Sequence, residues 1–158
     1  MKKAMIGTVA IGAMIVALGW GAAGVSAQDN EAIVKDRQAT MKAQGAALDG
    51  IKKYLGGEAD QAAGTKSADN LVKLAQSLPG KFTKGTSTTD FPGKSGAKPI
   101  IWADWDKFLA AQKNLVTQAE KLDAAVKSGD KKAAAEQYAA TGKDGCGGCH
   151  TTFREKLS

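Results

Sequence analysis

The sequence predicts an all-α protein, an antiparallel four-helix bundle. Three observations carry this. Apolar residues recur every seven positions in two long stretches, Val34, Met41, Leu48 and Leu55 in one and Ile101, Phe108, Leu115 and Leu122 in the other, the spacing of one helix face turned to a core. No stretch alternates with the two-residue period of a strand. Glycine and proline pairs, Gly56-Gly57, Pro79-Gly80 and Ser128-Gly129-Asp130, divide the chain into helix-sized pieces.

The first helix is expected from about Asp29 to Leu55, capped by Asp29 or Asn30, with Glu31 favourably placed in its first turn. Its inward seam is the Val34–Leu55 row, with Arg37 and Ile51 on the row beside it, so Met41 faces inward. Gly56-Gly57 stops it. Residues 58–66 are small and polar and read as a loop. Ser67 is expected to cap a shorter second helix carrying Leu71, Leu74, Ala75 and Leu78, ended by Pro79-Gly80. Residues 82–99, rich in Gly, Ser, Thr and Lys, form a connection unusually long for a compact domain. The third helix is expected over Ile100–Val126, where Gln112 interrupts the second row of Trp105, Ala119 and Val126 at a boundary position. A fourth, opened by Asp130, runs to about Leu157 with a break near Thr141-Gly142.

The last helix carries the motif that defines the chemistry: Cys146-Gly147-Gly148-Cys149-His150. Two thiols one helical turn apart can add across the two vinyl groups of a haem, and the adjoining imidazole rises under the iron as axial ligand. Cys146, Cys149, His150 and Phe153 share one helix face, and Gly145, Gly147 and Gly148 leave room for a flat macrocycle. A zinc site usually requires four ligands, and the chain has two cysteines and one histidine. A thioredoxin-like pair expects a βαβ setting that is missing here, and a disulfide across two residues closes too short a loop to stabilise much.

Before that domain, residues 1–27 read as a cleaved export signal: Lys2-Lys3, an uncharged run from Ala4 to about Ala23, then Val25-Ser26-Ala27. A retained anchor is the alternative on length alone. Export suits covalent haem attachment and places residues 28–158 in the periplasm as one domain. The net charge of +6 falls by two with Lys2 and Lys3, and by two more with the haem propionates. This mild excess reads as an ordinary solvated surface, with steering of an acidic redox partner as the other reading, and no concentrated basic tract argues for nucleic acid. After the leader, the chain holds one His, His150, and one Met, Met41. Met41 is therefore the candidate for a sixth iron ligand, and a plain core methionine is the other reading of it.

The chain resembles the class II c-type cytochromes, the cytochrome c′ and cytochrome c-556 family, over nearly all of residues 29–158. The markers are Cys146-x-x-Cys149-His150 near the C-terminus with Phe153-Arg154 after it, Pro99-x-Ile101-Trp102-x-Asp104, and Val34-Lys35-Asp36-Arg37-Gln38-Ala39-Thr40-Met41. The resemblance implies one covalent haem c held through Cys146 and Cys149, with His150 as proximal ligand. In that family the residue four after the first-helix Arg faces the open side of the haem. High-spin cytochromes c′ carry an apolar residue there and leave a pocket for NO or CO, whereas low-spin c-556 members place a Met in this region. Here the position is Met41, which implies a His/Met-ligated electron carrier rather than an enzyme, with the gas-binding protein as the alternative. A peroxidase-type activity lacks a distal acid–base histidine. The resemblance also puts Arg37 beside a propionate, an outward-snorkelling side chain being the other reading. Members of that family often form homodimers through the first two helices, and the sequence leaves monomer and homodimer both open.

Overall fold

The structure, a computed structural model, describes residues 27–157. The expected leader lies, apart from Ala27, outside the described residues. Helix α1 spans Ala27–Gly56 and α2 Gln61–Ser77, and α2 passes directly into a 3₁₀ turn, Leu78–Lys81. After the connection come a single turn α3, Ile100–Ala103, then α4, Trp105–Ser128, and α5, Lys131–Ala140. A π-helical stretch, Thr141–Gly147, joins α5 to α6, Gly148–Phe153, so the last three pieces form one rod. The α1, α2 and α4 rods and this composite rod make the four-helix bundle: α1 packs on α2, α2 on α4, and α4 on α5 and the π stretch, while α1 also meets α5. Among the described residues there is no strand, only an isolated bridge between Ala97 and Arg154, and no helix is long and apolar enough to cross a membrane.

Several boundaries differ from the expected ones, each for a physical reason. Helix α1 starts at Ala27, so Asp29 and Asn30 lie within its first turn instead of capping it. It ends as expected: Gly57 takes φ 80, its N–H donates to Tyr54 O (3.1 Å) and the Glu58 N–H to Lys53 O (2.9 Å), the double bond of a Schellman stop. Residues 61–66 are helical, not loop. Asp60 is the cap, its carboxylate accepting from Ala63 N at 2.8 Å. Gly64 makes the early start worthwhile, because it packs so closely on Tyr54 that a Cβ would lie 2.6 Å from Tyr54 Cγ. Packing overrides a weak intrinsic propensity here. Ser67, the expected cap, sits inside the helix and donates to Ala63 O (3.0 Å).

The expected third helix is split at Asp104, whose non-helical backbone (φ −133, ψ 66) and carboxylate, accepting from Lys107 N at 3.2 Å, start α4 afresh. Gln112 is a buried hydrogen-bonding residue and not a boundary position. Its Nε2 donates to Ala75 O at 2.8 Å, the carbonyl that Pro79, lacking an N–H, leaves without its regular helical donor. The last rod stops being helical at Phe153, short of Leu157, because Arg154 turns extended (φ −111, ψ 138) to run beside the 82–99 connection.

The core falls into two clusters. One, around Ile51, Tyr54, Leu71, Leu122 and Val126, fills one end of the bundle. The other gathers Leu78, Phe82, Ile101, Phe108, Leu115 and Phe153, with Met41, Trp102, Trp105, Cys146 and Cys149 packed against it. The buried stripe of α1 runs Val34, Arg37, Thr40, Gln44, Ala47, Ile51 and Tyr54, while Met41, Leu48 and Leu55 are half-buried. The seam is thus centred on the row beside the expected one, which three polar residues, Arg37, Thr40 and Gln44, hide from an apolar pattern.

Candidate haem site

The motif is presented by the widened π turn. Thr141, Gly145, Cys149 and Phe153 are four residues apart, and three of them are buried. A run of four-residue steps drifts around an α-helix but holds one face where the turn is wider, as in a π segment. The π stretch meets α4 closely: a Cβ on Gly145 would lie 3.1 Å from Leu115 Cδ1. Gly145 therefore serves the packing on α4, whereas the expectation gave it to the macrocycle. Side chains secure the turn. Thr141 Oγ1 donates to Gln137 O (2.8 Å), Gln137 Nε2 to Gln118 Oε1 (2.7 Å), and Asn114 Nδ2 to Asp144 O (2.8 Å). Cys146 lies in the π stretch, and Cys149 and His150 lie on α6.

These residues border a cavity of about 610 Å³ that opens among the helices beside the second core cluster. Met41, Arg37 and Gln44 enter it from α1, Leu78 and Phe82 from the end of α2, Ile101 from α3, and Phe108 and Leu115 from α4. Cys146, Cys149, His150 and Phe153 come from the last rod. The structure thus brings together all five residues singled out from the sequence, Met41 and Arg37 from one end of the chain and the thiols and imidazole from the other. A larger groove of about 970 Å³ between α1 and α2 is more open and holds none of them.

The donor set suits a haem. Both cysteines are free thiols. Burial pushes the Cys149 thiol up to about 11, the neighbouring Cys146 adding to it, and raises Cys146 also. Burial, then the Arg154 cation, lowers His150, which favours the neutral imidazole that a metal needs. Arg154 Nη1 lies 3.2 Å from His150 Nδ1, leaving Nε2 as the nitrogen free of it. Among the described residues no three His, Cys, Asp or Glu side chains cluster as a bare metal site would require. The volume lies in the range of cofactor pockets, the wall is mostly apolar, and one amide in it, Gln44 Nε2, is buried without a partner.

Arg37 is 4% exposed, and burial pulls it down to about 10, still cationic at neutral pH. It does not snorkel. Nη1 donates to Lys81 O (3.2 Å) and Thr86 Oγ1 (2.9 Å), Nη2 to Thr86 O (2.8 Å) and Ser95 Oγ (2.9 Å), and the guanidinium stands 4.9 Å from the Phe82 ring centroid. Its terminal nitrogens hold the 82–99 connection in place. Sequence reasoning missed Thr86, Ser95 and Gln44. The first two gave no signal, but Gln44, three after Met41 and seven after Arg37, was legible from spacing. Trp102 donates to Phe82 O (3.0 Å), and Trp105 and Phe153 pack on Phe108 at 5.1 and 5.5 Å.

A helical bundle with a C-terminal C-x-x-C-H facing an apolar cavity defines a c-type cytochrome. The family described as cytochrome c′ matches residues 32–154. A cytochrome c′ of Pararhodospirillum photometricum is 32% identical over 126 residues, 79% of this chain and 98% of that one. A cytochrome c-556 of Agrobacterium tumefaciens is 32% identical over 125 residues, 78% of this chain and 97% of that one. Among solved structures, a nitric oxide complex of a mutant cytochrome c prime from Alcaligenes xylosoxidans superposes with a TM-score of 0.69 at 26% identity, over 80% of this chain and 97% of that one. The chain belongs to the cytochrome c′ family and, with it, binds one covalent haem c.

Proposed function

We propose that the protein is a periplasmic one-electron carrier, not an enzyme, in which Cys146 and Cys149 hold the haem, His150 ligates its iron on the proximal side and Met41 on the distal side. The observation that carries this is the placement of Met41, the single methionine after the leader, on the wall of the cavity that also receives both thiols and His150. The bound haem would supply the one-electron couple of its iron, and a thioether ligand raises its potential relative to a second imidazole. The chain's own residues do the rest. Phe82, Phe108 and Phe153 exclude water, the π stretch fixes the thiols one turn apart, and Arg37 adds a cation to the wall that the propionates would meet. Redox partner proteins would approach an exposed haem edge.

A second reading is supported by the nitric oxide complex of the Alcaligenes relative: Met41 leaves the iron, or never binds it, and the distal side takes a diatomic gas. Absorption spectra of the matured protein, oxidised, reduced and reduced with CO, separate the two. The carrier gives a low-spin spectrum with the weak methionine–iron band in the red, little changed by CO and lost in Met41→Ala. A high-spin spectrum that shifts with CO would overturn Met41 ligation.

A further inference from the structure

Gln44 is 6% exposed, lines the haem cavity, and its Nε2 has no hydrogen-bond partner. Buried donors are nearly always paired. Nearby polar groups on α1 obey that rule: Arg37 makes four bonds, Thr40 donates to Asp36 O (2.9 Å), and Gln38 donates to Lys94 O (2.6 Å). The other buried side-chain atoms without partners among the described residues, on Asn30 and Asp123, are oxygens away from the cavity. An apolar side chain would complete the α1 stripe at this position. An amide there instead, with its donor unmatched by protein, points to an acceptor that arrives in the cavity. The terminal torsion of a glutamine is broad, so the carboxamide can turn its N–H₂ toward such an acceptor.

Position narrows what that acceptor is. Gln44 stands three residues beyond Met41, a rise of about 4.5 Å along α1. Arg37 marks the end of the cavity that the 82–99 connection closes. The other half of α1 packs on α5, the helix that leads into the cysteine-bearing stretch: Ala47, Ile51 and Tyr54 share a core cluster with Ala134 and Tyr138. Haem propionates leave the ring away from the thioether-bearing substituents, so they belong to the Arg37 end. Next to Met41, the remaining acceptor is an atom on the distal face of the iron.

We infer that Gln44 is the distal hydrogen-bond donor of this cavity, and that its amide donates to a diatomic ligand such as carbon monoxide or nitric oxide when one takes the Met41 position. The inference rests on the proposed reading that Met41 stands on the distal side. Gln44 is then a positioning residue: it polarises the incoming ligand and slows its escape, while the iron–ligand bond replaces the iron–sulfur bond with no change of oxidation state.

The test uses ferrous haem-loaded protein carrying Met41→Ala, which opens the distal side, with and without Gln44→Leu. The readouts are the C–O stretching frequency of the CO complex and the rate of CO release. Loss of the donor should raise the stretching frequency and speed release by roughly two- to tenfold, the range that one neutral hydrogen bond commands. Identical frequencies and rates, or a Met41→Ala protein that takes up no CO, would overturn the inference. Should Gln44→Leu fail to mature, Gln44→Met keeps the length, lacks the donor and is judged on the same two readouts. Met41 ligation is judged separately, by the red band of the protein with Met41 intact, so the two ideas fail independently.

Discussion

Replacing Arg37 with methionine tests whether a single buried cation holds the 82–99 connection. Methionine keeps most of the stem while removing the guanidinium, with its four hydrogen bonds and its position over the Phe82 ring. The lost bonds go to Lys81 O, Thr86 O, Thr86 Oγ1 and Ser95 Oγ. Three of these four groups retain other bonds, since the Ser95 hydroxyl itself donates to Thr86 O (2.8 Å) and Thr86 Oγ1 donates to Thr83 O (2.7 Å). The wild-type guanidinium also carries its own desolvation cost, which methionine does not, so the four bonds do not add at full value. Charge-assisted bonds contribute about 1.5–3 kcal/mol each before that cost. A net loss of about 3 kcal/mol is expected, near the value for breaking a buried charged pair. Denaturant unfolding of the haem-loaded protein, followed by helical circular dichroism, reads it as a lower midpoint at unchanged slope. Limited proteolysis should then cut within residues 82–99 before global unfolding. A loss under about 1 kcal/mol with the connection still resistant would refute the clamp. Arg37→Lys, a charge without the planar fork, should fall between the two proteins.

Two further outcomes follow from the packing and the motif. Gly64→Ala forces a methyl to within 2.6 Å of Tyr54 Cγ and should destabilise by about 1–3 kcal/mol by thermal unfolding, with no change in the haem spectrum, because the contact lies in the other core cluster. Cys149→Ser removes one thioether sulfur and should leave haem attached through Cys146 alone. Denaturing gels stained for haem, with intact mass spectrometry, should show reduced loading. Loading undiminished from that of the wild type would contradict attachment through both thiols.

What could be read from the sequence, and what could not, divides along a physical line. The α4 face was legible because its period is carried by apolar residues of one size class, Phe108, Leu115 and Leu122. The cysteines and His150 were legible because covalent chemistry dictates their spacing. The true seam of α1 was hidden because its central positions near the site are Arg37, Thr40 and Gln44, polar residues of which Arg37 is buried among acceptors far away in sequence and Gln44 on the wall of the cavity. The early start of α2 was hidden for the same kind of reason: Gly64 reads as a helix breaker until Tyr54 is known to lie against it. The break at Asp104 did have a local signal, an aspartate placed to cap Trp105 onward, but the apolar row running through it masked the signal. Asp130, with no such row across it, was read correctly as the α5 cap, its carboxylate accepting from Lys132 and Ala133 N at 3.0 Å.

The long connection, an anomaly for a compact bundle, becomes intelligible as the piece that ties the two sides of the haem cavity together. At one end Arg37, a turn before Met41 on α1, grips Thr86 and Ser95. The Ser95 hydroxyl in turn accepts from Ala97 N (3.2 Å). At the other end the same segment is stitched to the chain leaving α6: Lys98 N donates to Phe153 O (3.0 Å), Glu155 N donates to Gly96 O (2.9 Å), and Ala97 bridges Arg154. Gly96 permits this approach, since a Cβ there would meet Glu155 O at 2.8 Å. Arg154 is also the side chain beside His150. Helices α1 and α6 come from opposite ends of the chain, and neither the Met41 nor the His150 segment contains the residues that set their separation. A loop of Gly, Ser and Thr can do so because it offers backbone and hydroxyl acceptors to a buried guanidinium on one side and extended backbone to the chain after His150 on the other. A residue chosen for helix or strand propensity would serve neither role, which is why the stretch looked featureless as sequence.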